Sequence, residues 1–322
     1  MRPTRLSIEP CTHCQLACPG CPNTDLGHPP GMGWGRLRYD DFAALLNTNP
    51  QLDYVKFDCF GEAFLNKELP AMLELGAKRG IRFRITSANF NYISEQTINA
   101  LVSCQVERIS VAIDGISQAS YGEYRRGGNL ETVLENIRKL NAAKQAAGSE
   151  LPHLEWLWVV FGHNQHEIGE ARRLAEELGM TFRAKMQWDE SYSPIRDREQ
   201  LERELGWIAT DRKELASSTG RDYMADVCHQ LWLEPKINWD GKVLGCCWTQ
   251  EGFESNAFEE GYLEAVNGDK ISYARAMLRG EAPPRDDIPC SRCPQYLGRA
   301  RSGTFISTEE LEAGRKSIGA PG

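Results

Sequence analysis

The feature that most constrains the fold of this chain is a regular alternation of short apolar runs with segments of helical periodicity. Runs rich in apolar or β-branched residues recur at 6–8, 54–58, 82–87, 106–113, 154–161 and 181–187. In the segment between the fourth and fifth runs, Val133, Ile137 and Leu140 have the helical spacing i, i+4, i+7. Strands that alternate with helices predict an α/β fold with a parallel sheet. This periodicity does not distinguish a partial barrel from an open, doubly wound sheet.

The alternation stops near Asp189, and the sequence then changes character twice. Residues 191–225 are densely charged, which predicts a solvated connector. From Cys228 onward the chain is rich in Trp, Gly and Cys and has few periodic segments. We therefore predict a first domain over residues 1–190, the connector over 191–225, and a C-terminal domain with its tail over 226–322.

The net charge of the 322-residue chain disfavours two classes of partner. A formal charge of −8 argues against nucleic acid or an anionic membrane as the main partner. The chain has no apolar run long enough to span a membrane, and its first residues, "MRPTRLSIEP", lack the apolar core of a signal peptide. We therefore expect a cytoplasmic protein with no nucleic-acid or membrane partner.

Eleven cysteines, an odd number clustered near the two ends of the chain, favour metal binding over a disulfide framework. In "CTHCQLACPGC", Cys14, Cys18 and Cys21 (the cysteine triplet) follow the first predicted strand, in a loop expected at the carboxyl end of the sheet. Three thiolates can hold three irons of a four-iron cluster and leave the fourth iron open. The alternative is a zinc site that also uses Cys11.

A further group of four cysteines occupies the last third of the chain. Cys228 precedes a predicted hairpin with its turn at 240–241, which ends at Cys246, and the pair Cys290 and Cys293 follows. These four residues, the C-terminal cysteine set, suit either a zinc ion or a fully ligated [4Fe–4S] cluster. The chemistry of the residues does not choose between the two.

The triplet and four later stretches resemble the motifs of radical S-adenosylmethionine (radical SAM) enzymes. "DCFGEAFLNKEL" resembles the Gly-Gly-Glu-Pro segment of that family, "ITSANFNYIS" the third-strand stretch, and "ISVAIDGISQASYGEYRRGG" and "VVFGHNQHEIGE" the fourth-strand and fifth-strand segments. The positions that match the family pattern are Gly61, Glu62, Asn89, Asp114, Gly115, Tyr124, Arg125, Asn164 and Glu167. Phe60 and Ala63 replace the second glycine and the proline of the first segment, and Ala112 occupies a position where a serine is common.

The C-terminal cysteine set resembles the SPASM/twitch extension of the same family. Because no cysteine follows Cys293, the shorter twitch form with one auxiliary cluster matches better than the two-cluster form. The resemblance therefore implies a partial (β/α)6 TIM-type barrel with a small C-terminal β-hairpin-plus-helix twitch/SPASM domain.

The resemblance also implies the cofactors. The triplet would ligate a [4Fe–4S] cluster whose open iron chelates S-adenosylmethionine (SAM), and the C-terminal cysteine set would ligate an auxiliary [4Fe–4S] cluster. The first cluster, reduced by a flavodoxin-type or ferredoxin-type donor, would cleave SAM to methionine and a 5′-deoxyadenosyl radical that abstracts hydrogen from the substrate. Glu62 would contact the methionine amino group, and Arg125 would bind the SAM carboxylate or the substrate. The other implied SAM contacts are Gly61, Asn89, Asp114 and Asn164.

Three fates of a substrate radical remain open. In oxidation, the auxiliary cluster accepts an electron, as in the one-cluster twitch relatives of aminocyclitol antibiotic biosynthesis. In epimerisation, a thiol donates hydrogen, and Cys247 and Cys59 are the candidates. Peptide modification is less favoured, because the chain begins only five residues before its first predicted strand and so leaves no room there for a leader-binding domain. We predict oxidation of a small polyol or sugar-like substrate.

Two other classes of protein are the alternatives to a radical enzyme, namely a zinc-binding protein and an iron–sulfur electron carrier. Cys11 is expected to be a bystander packed near the triplet. Cys104 is expected to be a core residue at a helix end.

Overall fold

Within the part of the chain that the structure describes, one sheet of eight strands organises the fold, and its strand order is β6-β5-β4-β3-β2-β1-β7-β8. The structure is a computed structural model that describes residues 1–27, 31–58, 60–220 and 222–319. The strands are β1 Arg5–Ile8, β2 Tyr54–Asp58, β3 Arg82–Ala88, β4 Arg108–Ala112, β5 His153–Val160, β6 Met180–Met186, β7 Lys236–Ile237 and β8 Val243–Gly245. Strands β1 to β6 pair in parallel in chain order. The predicted α/β class with six parallel strands is confirmed, and the architecture is that of a partial TIM-type barrel.

Helices connect the parallel strands and cover the apolar face of the sheet. Their bounds are α1 Pro22–Asp25, α2 Tyr39–Thr48, α3 Leu69–Ala77, α4 Glu95–Ser103, α5 Gln118–Tyr124, α6 Leu130–Ala146, α7 Ile168–Glu177, α8 Arg198–Leu205, α9 Arg212–Thr219, α10 Gln230–Leu233, α11 Tyr262–Ala265, α12 Asp269–Leu278, α13 Pro294–Ser302 and α14 Thr308–Gly319. In α6, the Asn129 side chain caps the first turn by accepting from the Thr132 N–H. No helix among the described residues is long and apolar enough to cross a membrane.

The two faces of the sheet differ because side chains alternate along each strand. The outer face carries Leu6, Val55 and Phe83, which are fully buried against the helices. The opposite face, called the inner face, carries polar and charged residues in adjacent registers. Among them are Ser7, Lys56, Arg84, Arg108, Ser110 and Glu155. A barrel interior of this composition suits a polar ligand.

The hairpin predicted around residues 240–241 forms, and it extends the barrel sheet. Strand β7 pairs in parallel with β1, and β8 pairs antiparallel with β7. Gly241 in the turn has φ +87°, and the Asn256 and Phe258 side chains lie where a Cβ would be, so only glycine fits. This pairing places the residue after β8, Cys246, beside the barrel.

Candidate active site

The cysteine triplet lies on the loop after β1, at the carboxyl end of the parallel strands. The Cys21 N–H donates to the Cys18 carbonyl (3.2 Å), and Gly20 between them adopts φ +74°, a left-handed conformation that favours glycine. This turn brings the Cys18 and Cys21 thiols near Cys14, so that the three influence one another electrostatically. The structure thus assembles the three predicted ligands in one place.

The surroundings of these sulfur atoms fit a thiolate-bound cluster. Arg125 Nη1 lies 3.8 Å from Cys18 Sγ, and Asn89 Nδ2 and the Leu16 N–H lie 3.6 and 3.5 Å from Cys14 Sγ. Burial raises the pKa of the Cys14 thiol to about 12. Bound iron would supply the positive charge that a buried thiolate lacks, and N–H donors to sulfur are a regular part of iron–sulfur sites. The donor set therefore suits the implied [4Fe–4S] cluster.

Cys11 is packed beside the triplet but is oriented differently. It is fully buried, its Sγ donates to the His13 carbonyl (3.7 Å), and its backbone forms a bridge with Arg36. Burial raises the pKa of this thiol to about 11. The expectation that Cys11 is a bystander stays a prediction.

Glu62 is a fully buried carboxylate next to the triplet. Its Oε1 accepts from the Phe64 N–H (3.2 Å) and its Oε2 from the Asn89 N–H (2.6 Å). Burial raises its pKa to about 7 against the opposing effect of these donors and of Arg125. A carboxylate accepts about four hydrogen bonds, so this one has capacity for the ammonium group of a ligand.

Gly61 is required by packing. A Cβ at this position would lie 2.4 to 2.5 Å from backbone atoms of Cys11, Thr12 and His13. The Glu62 N–H also donates to the His13 carbonyl (2.8 Å). Gly61 therefore allows the loop after β2 to press against the loop that carries the triplet.

Arg125 is oriented by Asp114, which is fully buried. Arg125 Nε donates to Asp114 Oδ2 (2.5 Å), and the Val159 N–H donates to Asp114 Oδ1 (2.6 Å). Asn164 Nδ2 donates to the Asp114 and Val159 carbonyls (3.0 Å each). Asp114 and Asn164 thus fasten the ends of β4 and β5 and position Arg125, which keeps N–H groups for a ligand. Direct contacts of Asp114, Asn164, Gly61 and Asn89 with SAM stay predictions.

The C-terminal cysteine set converges from three parts of the chain. Cys228 lies on a short 3-10 helix, Cys246 follows β8, and Cys290 and Cys293 flank the turn before α13. Each of the other three thiols has Cys246 as an electrostatic neighbour. Burial raises the pKa of Cys290 well above its ordinary value, whereas two N–H groups at the start of α13 partly offset burial at Cys293. The four thiols form one largely buried donor set.

Cys247, next to Cys246 in the chain, lies near charged residues of the inner face of the sheet. Its N–H donates to Gln230 Oε1 (2.7 Å), and its charged neighbours are Asp58, Lys236 and Lys56. Burial and Asp58 raise the pKa of the Cys247 thiol to about 12, so the thiol is protonated at neutral pH. Cys59, the other predicted thiol donor, lies outside the described residues.

A buried charge network lies near Cys247 and was not predicted from the sequence. Lys236 Nζ lies 3.3 Å from Glu9 Oε2 and 3.6 Å from Asp58 Oδ2, and Glu9 accepts from the Phe60 N–H (2.9 Å). Glu9 directly follows β1, and Lys236 begins β7, so the ion pair connects the segments that lead to the two cysteine sites. A carboxylate directly after an apolar strand, and a lysine inside a short hairpin strand, were the available signals.

Comparisons with known proteins come from sequence and from structure. No protein-family model matches the chain. Two curated relatives, both named GTP 3′,8-cyclase, are 28% identical to it. The match to the Hydrogenovibrio crunogenus protein covers 55% of this chain and 53% of that protein, so the chain spans about half of that relative's length. The match to the Saccharophagus degradans protein covers 91% of this chain and 92% of that protein.

Three solved structures share the fold. Streptococcus suis SuiB bound to S-adenosylmethionine has a TM-score of 0.64 at 15% identity, over 91% of this chain and 71% of SuiB. For anSMEcpe with bound AdoMet the TM-score is 0.59 at 13% identity, over 99% of both chains. For BtrN in complex with AdoMet and 2-DOIA it is 0.51 at 14% identity, over 91% of this chain and 93% of BtrN. All three were determined with S-adenosylmethionine (AdoMet) bound, and the predicted fold is confirmed.

Proposed function

We propose that this protein, which has the fold of radical SAM enzymes, is a radical SAM oxidoreductase with an auxiliary [4Fe–4S] cluster, and that it oxidises a small polyol or sugar-like substrate. The observation that carries the proposal is the presence of two separate sets of thiols. The polar inner face lies between the chain segments that bear these two sets. The triplet fits a SAM-binding cluster, and the C-terminal set offers four thiols, which fit a cluster without an open iron.

The residues around the triplet are arranged to bind the amino-acid end of SAM. Glu62 has capacity to accept from the ammonium group, and Arg125, fixed by Asp114, has N–H groups for the carboxylate. A reduced cluster with SAM bound supplies a 5′-deoxyadenosyl radical that takes a hydrogen atom from the substrate. The protein's own part is to hold the substrate carbon in place and to exclude other reactions.

Oxidation of an alcohol also needs an acceptor for the hydroxyl proton, and we assign this role to the inner-face carboxylate Asp58. Although burial acts to raise its pKa, Lys236 and Lys56 hold the pKa of Asp58 well below its usual range, so it is ionised at neutral pH. It is an electrostatic neighbour of Cys247, which adjoins the C-terminal cysteine set. In this proposal Asp58 would accept the proton, and the C-terminal cysteine set would hold the cluster that supplies the electron acceptor.

Anaerobic reconstitution with iron and sulfide tests the cofactor assignment. We expect about eight irons per chain, four for each cluster, and release of 5′-deoxyadenosine when SAM and a reductant are added. Binding of two zinc ions without SAM cleavage would reject the proposal in favour of a zinc protein. Eight irons without SAM cleavage would favour an electron carrier.

Isotope transfer tests the reaction. With deuterated polyols, the expected result is deuterium in 5′-deoxyadenosine and a ketone product. Epimerisation is the second candidate, because Cys247 presents a protonated thiol beside the inner-face carboxylate Asp58. In deuterium oxide, epimerisation would give a product with one solvent deuterium and no ketone, and this incorporation would disappear in Cys247→Ala.

Conversion of GTP is a further candidate, because both curated relatives carry the name GTP 3′,8-cyclase. The assay is the same reconstituted protein with GTP, SAM and reductant, followed by mass spectrometry of the nucleotide pool. A rearranged nucleotide together with 5′-deoxyadenosine would replace polyol oxidation as the proposed reaction.

A further inference from the structure

A cavity of about 640 Å³ lies at the end of the inner face opposite the triplet. The amino-terminal halves of β1 to β4 form one wall, and residues around α10 and α14 form the other. Among its lining residues are the basic side chains Arg5, Lys56, Arg84 and Arg108. Because the triplet lies at the carboxyl ends of the same strands, this cavity is distinct from the SAM site.

The carboxylates that line the cavity are already engaged. Glu234 is paired with Arg5 (3.2 Å) and Lys56 (2.5 Å), and Glu107 is paired with Arg82 (3.5 Å). Glu310 is bound by the Arg299 guanidinium (2.6 Å), and Asp226 also has an interaction partner. Each of these carboxylates therefore has a partner within the protein.

Arg84 is different. Its Nε is buried and has no hydrogen-bond partner, and within the described part of the chain its guanidinium forms no ion pair. Arg84 is one of the charges that lower the pKa of Glu155. The Glu155 carboxylate, however, already accepts hydrogen bonds from Arg183 (2.7 Å) and from the Ser110 hydroxyl (2.8 Å). A guanidinium with an orphaned buried N–H is costly, because the desolvation of the donor is not repaid by a hydrogen bond.

The neighbour of Arg84 across the sheet makes this arrangement less favourable still. Arg84 and Arg108 are direct register partners on β3 and β4, so two guanidinium groups share one patch of the inner face, where Arg108 is also paired with Glu155 (3.7 Å). Like charges directly opposite each other destabilise a sheet pair. Adjacent guanidinium groups are also the arrangement that binds phosphate or carboxylate with several charge-assisted hydrogen bonds.

We propose that this cavity is a binding site for the phosphate or carboxylate group of a small molecule, with Arg84 as its principal ligand and Arg108 beside it. A bound anion would accept a hydrogen bond from the Arg84 Nε–H. It would also reduce the repulsion between the two guanidinium groups. The proposal does not depend on the radical chemistry.

Titration calorimetry of the reconstituted full-length protein tests this site with three probes: inorganic pyrophosphate, citrate and uncharged myo-inositol. We expect pyrophosphate, citrate or both to bind with a stoichiometry of one, and myo-inositol not to bind. Arg84→Gln should weaken anion binding about tenfold or more, the scale of losing one charge-assisted contact. Preference between the first two probes identifies the group as phosphate or carboxylate.

The matched control is Arg138→Gln in α6, because Arg138 is exposed, is paired with Glu131 and lies outside the lining of the cavity. This variant should bind the anion as the wild type does, and circular dichroism establishes that both variants are folded. Absence of binding by the wild type to both anions, or equal binding by folded Arg84→Gln and Arg138→Gln, would overturn the proposal. SAM cleavage without substrate is measured in parallel in the wild type. Absence of this cleavage would count against the proposed function and not against the anion site.

Discussion

At the scale of single residues, the chemistry of the triplet depends on side chains that are held by other buried groups. Cys18 is the most enclosed of the three thiols, with 7% of its surface exposed, and it receives the Arg125 guanidinium that Asp114 orients. Cys11, only seven residues earlier, is fully buried and directs its thiol to a backbone carbonyl. These two cysteines therefore provide a matched pair for mutagenesis.

Cys18→Ala should abolish reductive cleavage of SAM, because two thiolates hold a [4Fe–4S] cluster with an open iron poorly. Cys11→Ala should retain cleavage and iron content within about twofold of the wild type. The measurement is release of 5′-deoxyadenosine together with iron analysis after reconstitution. Cleavage by Cys18→Ala, or its loss in Cys11→Ala with normal folding, would contradict the ligand assignment.

Glu9 should make the stability of the apoprotein depend on pH. Burial raises its pKa from 4.5 to about 7, against the attraction of Lys236 and with a smaller contribution from Asp58. The folded state then binds more protons than the unfolded state between these values. The free energy of unfolding should therefore fall as pH rises from about 4.5 to 7, by on the order of 2 to 3 kcal/mol.

Urea denaturation at several pH values measures this dependence. Glu9→Gln should flatten the slope between pH 4.5 and 7, whereas Glu131→Gln, a change at an exposed residue paired with Arg138, should leave it unchanged. An identical slope in wild type and Glu9→Gln would show that Glu9 does not titrate in this range.

At the scale of elements, the loops after β1 and β2 act as one unit. Gly61 lets the two backbones touch, Asn89 after β3 bonds to both Glu62 and the Cys14 sulfur, and the Phe60 N–H donates to Glu9. The carboxyl ends of three neighbouring strands are thus tied together around the triplet.

Gly61→Ala should displace the triplet loop, because the new methyl group would lie about 2.5 Å from the backbone of residues 11–13. We expect loss of most of the iron bound by the triplet and a stability cost of about 1 to 3 kcal/mol, the range for overpacking. Gly298→Ala in α13 is the control, since nothing lies within 4 Å of its added Cβ, and it should stabilise the helix slightly. Normal iron binding by Gly61→Ala would contradict the packing argument.

At the scale of the whole molecule, the C-terminal hairpin joins the barrel and brings the two cysteine sites into one structure. Strand β7 extends the sheet at β1, and its Lys236 forms a buried ion pair with Glu9, next to the triplet loop. The two cysteine sets nevertheless lie on separate elements. They should therefore be separable by mutation.

Cys293→Ala should remove about four of about eight irons and retain SAM cleavage, because the auxiliary site alone loses a ligand. Substrate oxidation should fall far more than uncoupled cleavage does. Cys104→Ala, at the half-buried end of α4, is the control and should retain both clusters. Equal loss of both activities in folded Cys293→Ala would argue against separate roles for the two sites.

Much of this organisation follows from local patterns. The alternation of strands and helices, the cysteine spacing, and the glycine of the hairpin turn are short-range signals, because each depends on residues within one turn, strand or loop. They predicted the α/β class, the triplet loop after β1 and the hairpin after Cys228.

Tertiary structure alone decided what depends on long-range contact. It paired β7 with β1, buried Lys236 against Glu9 across more than two hundred residues of chain, and brought Cys247 near Asp58 on the inner face. Among the described residues, it also left the Arg84 Nε without a hydrogen-bond partner. Charge pairing and burial are properties of surfaces that meet only in the folded chain, and the sequence by itself carries no local sign of which surfaces will meet.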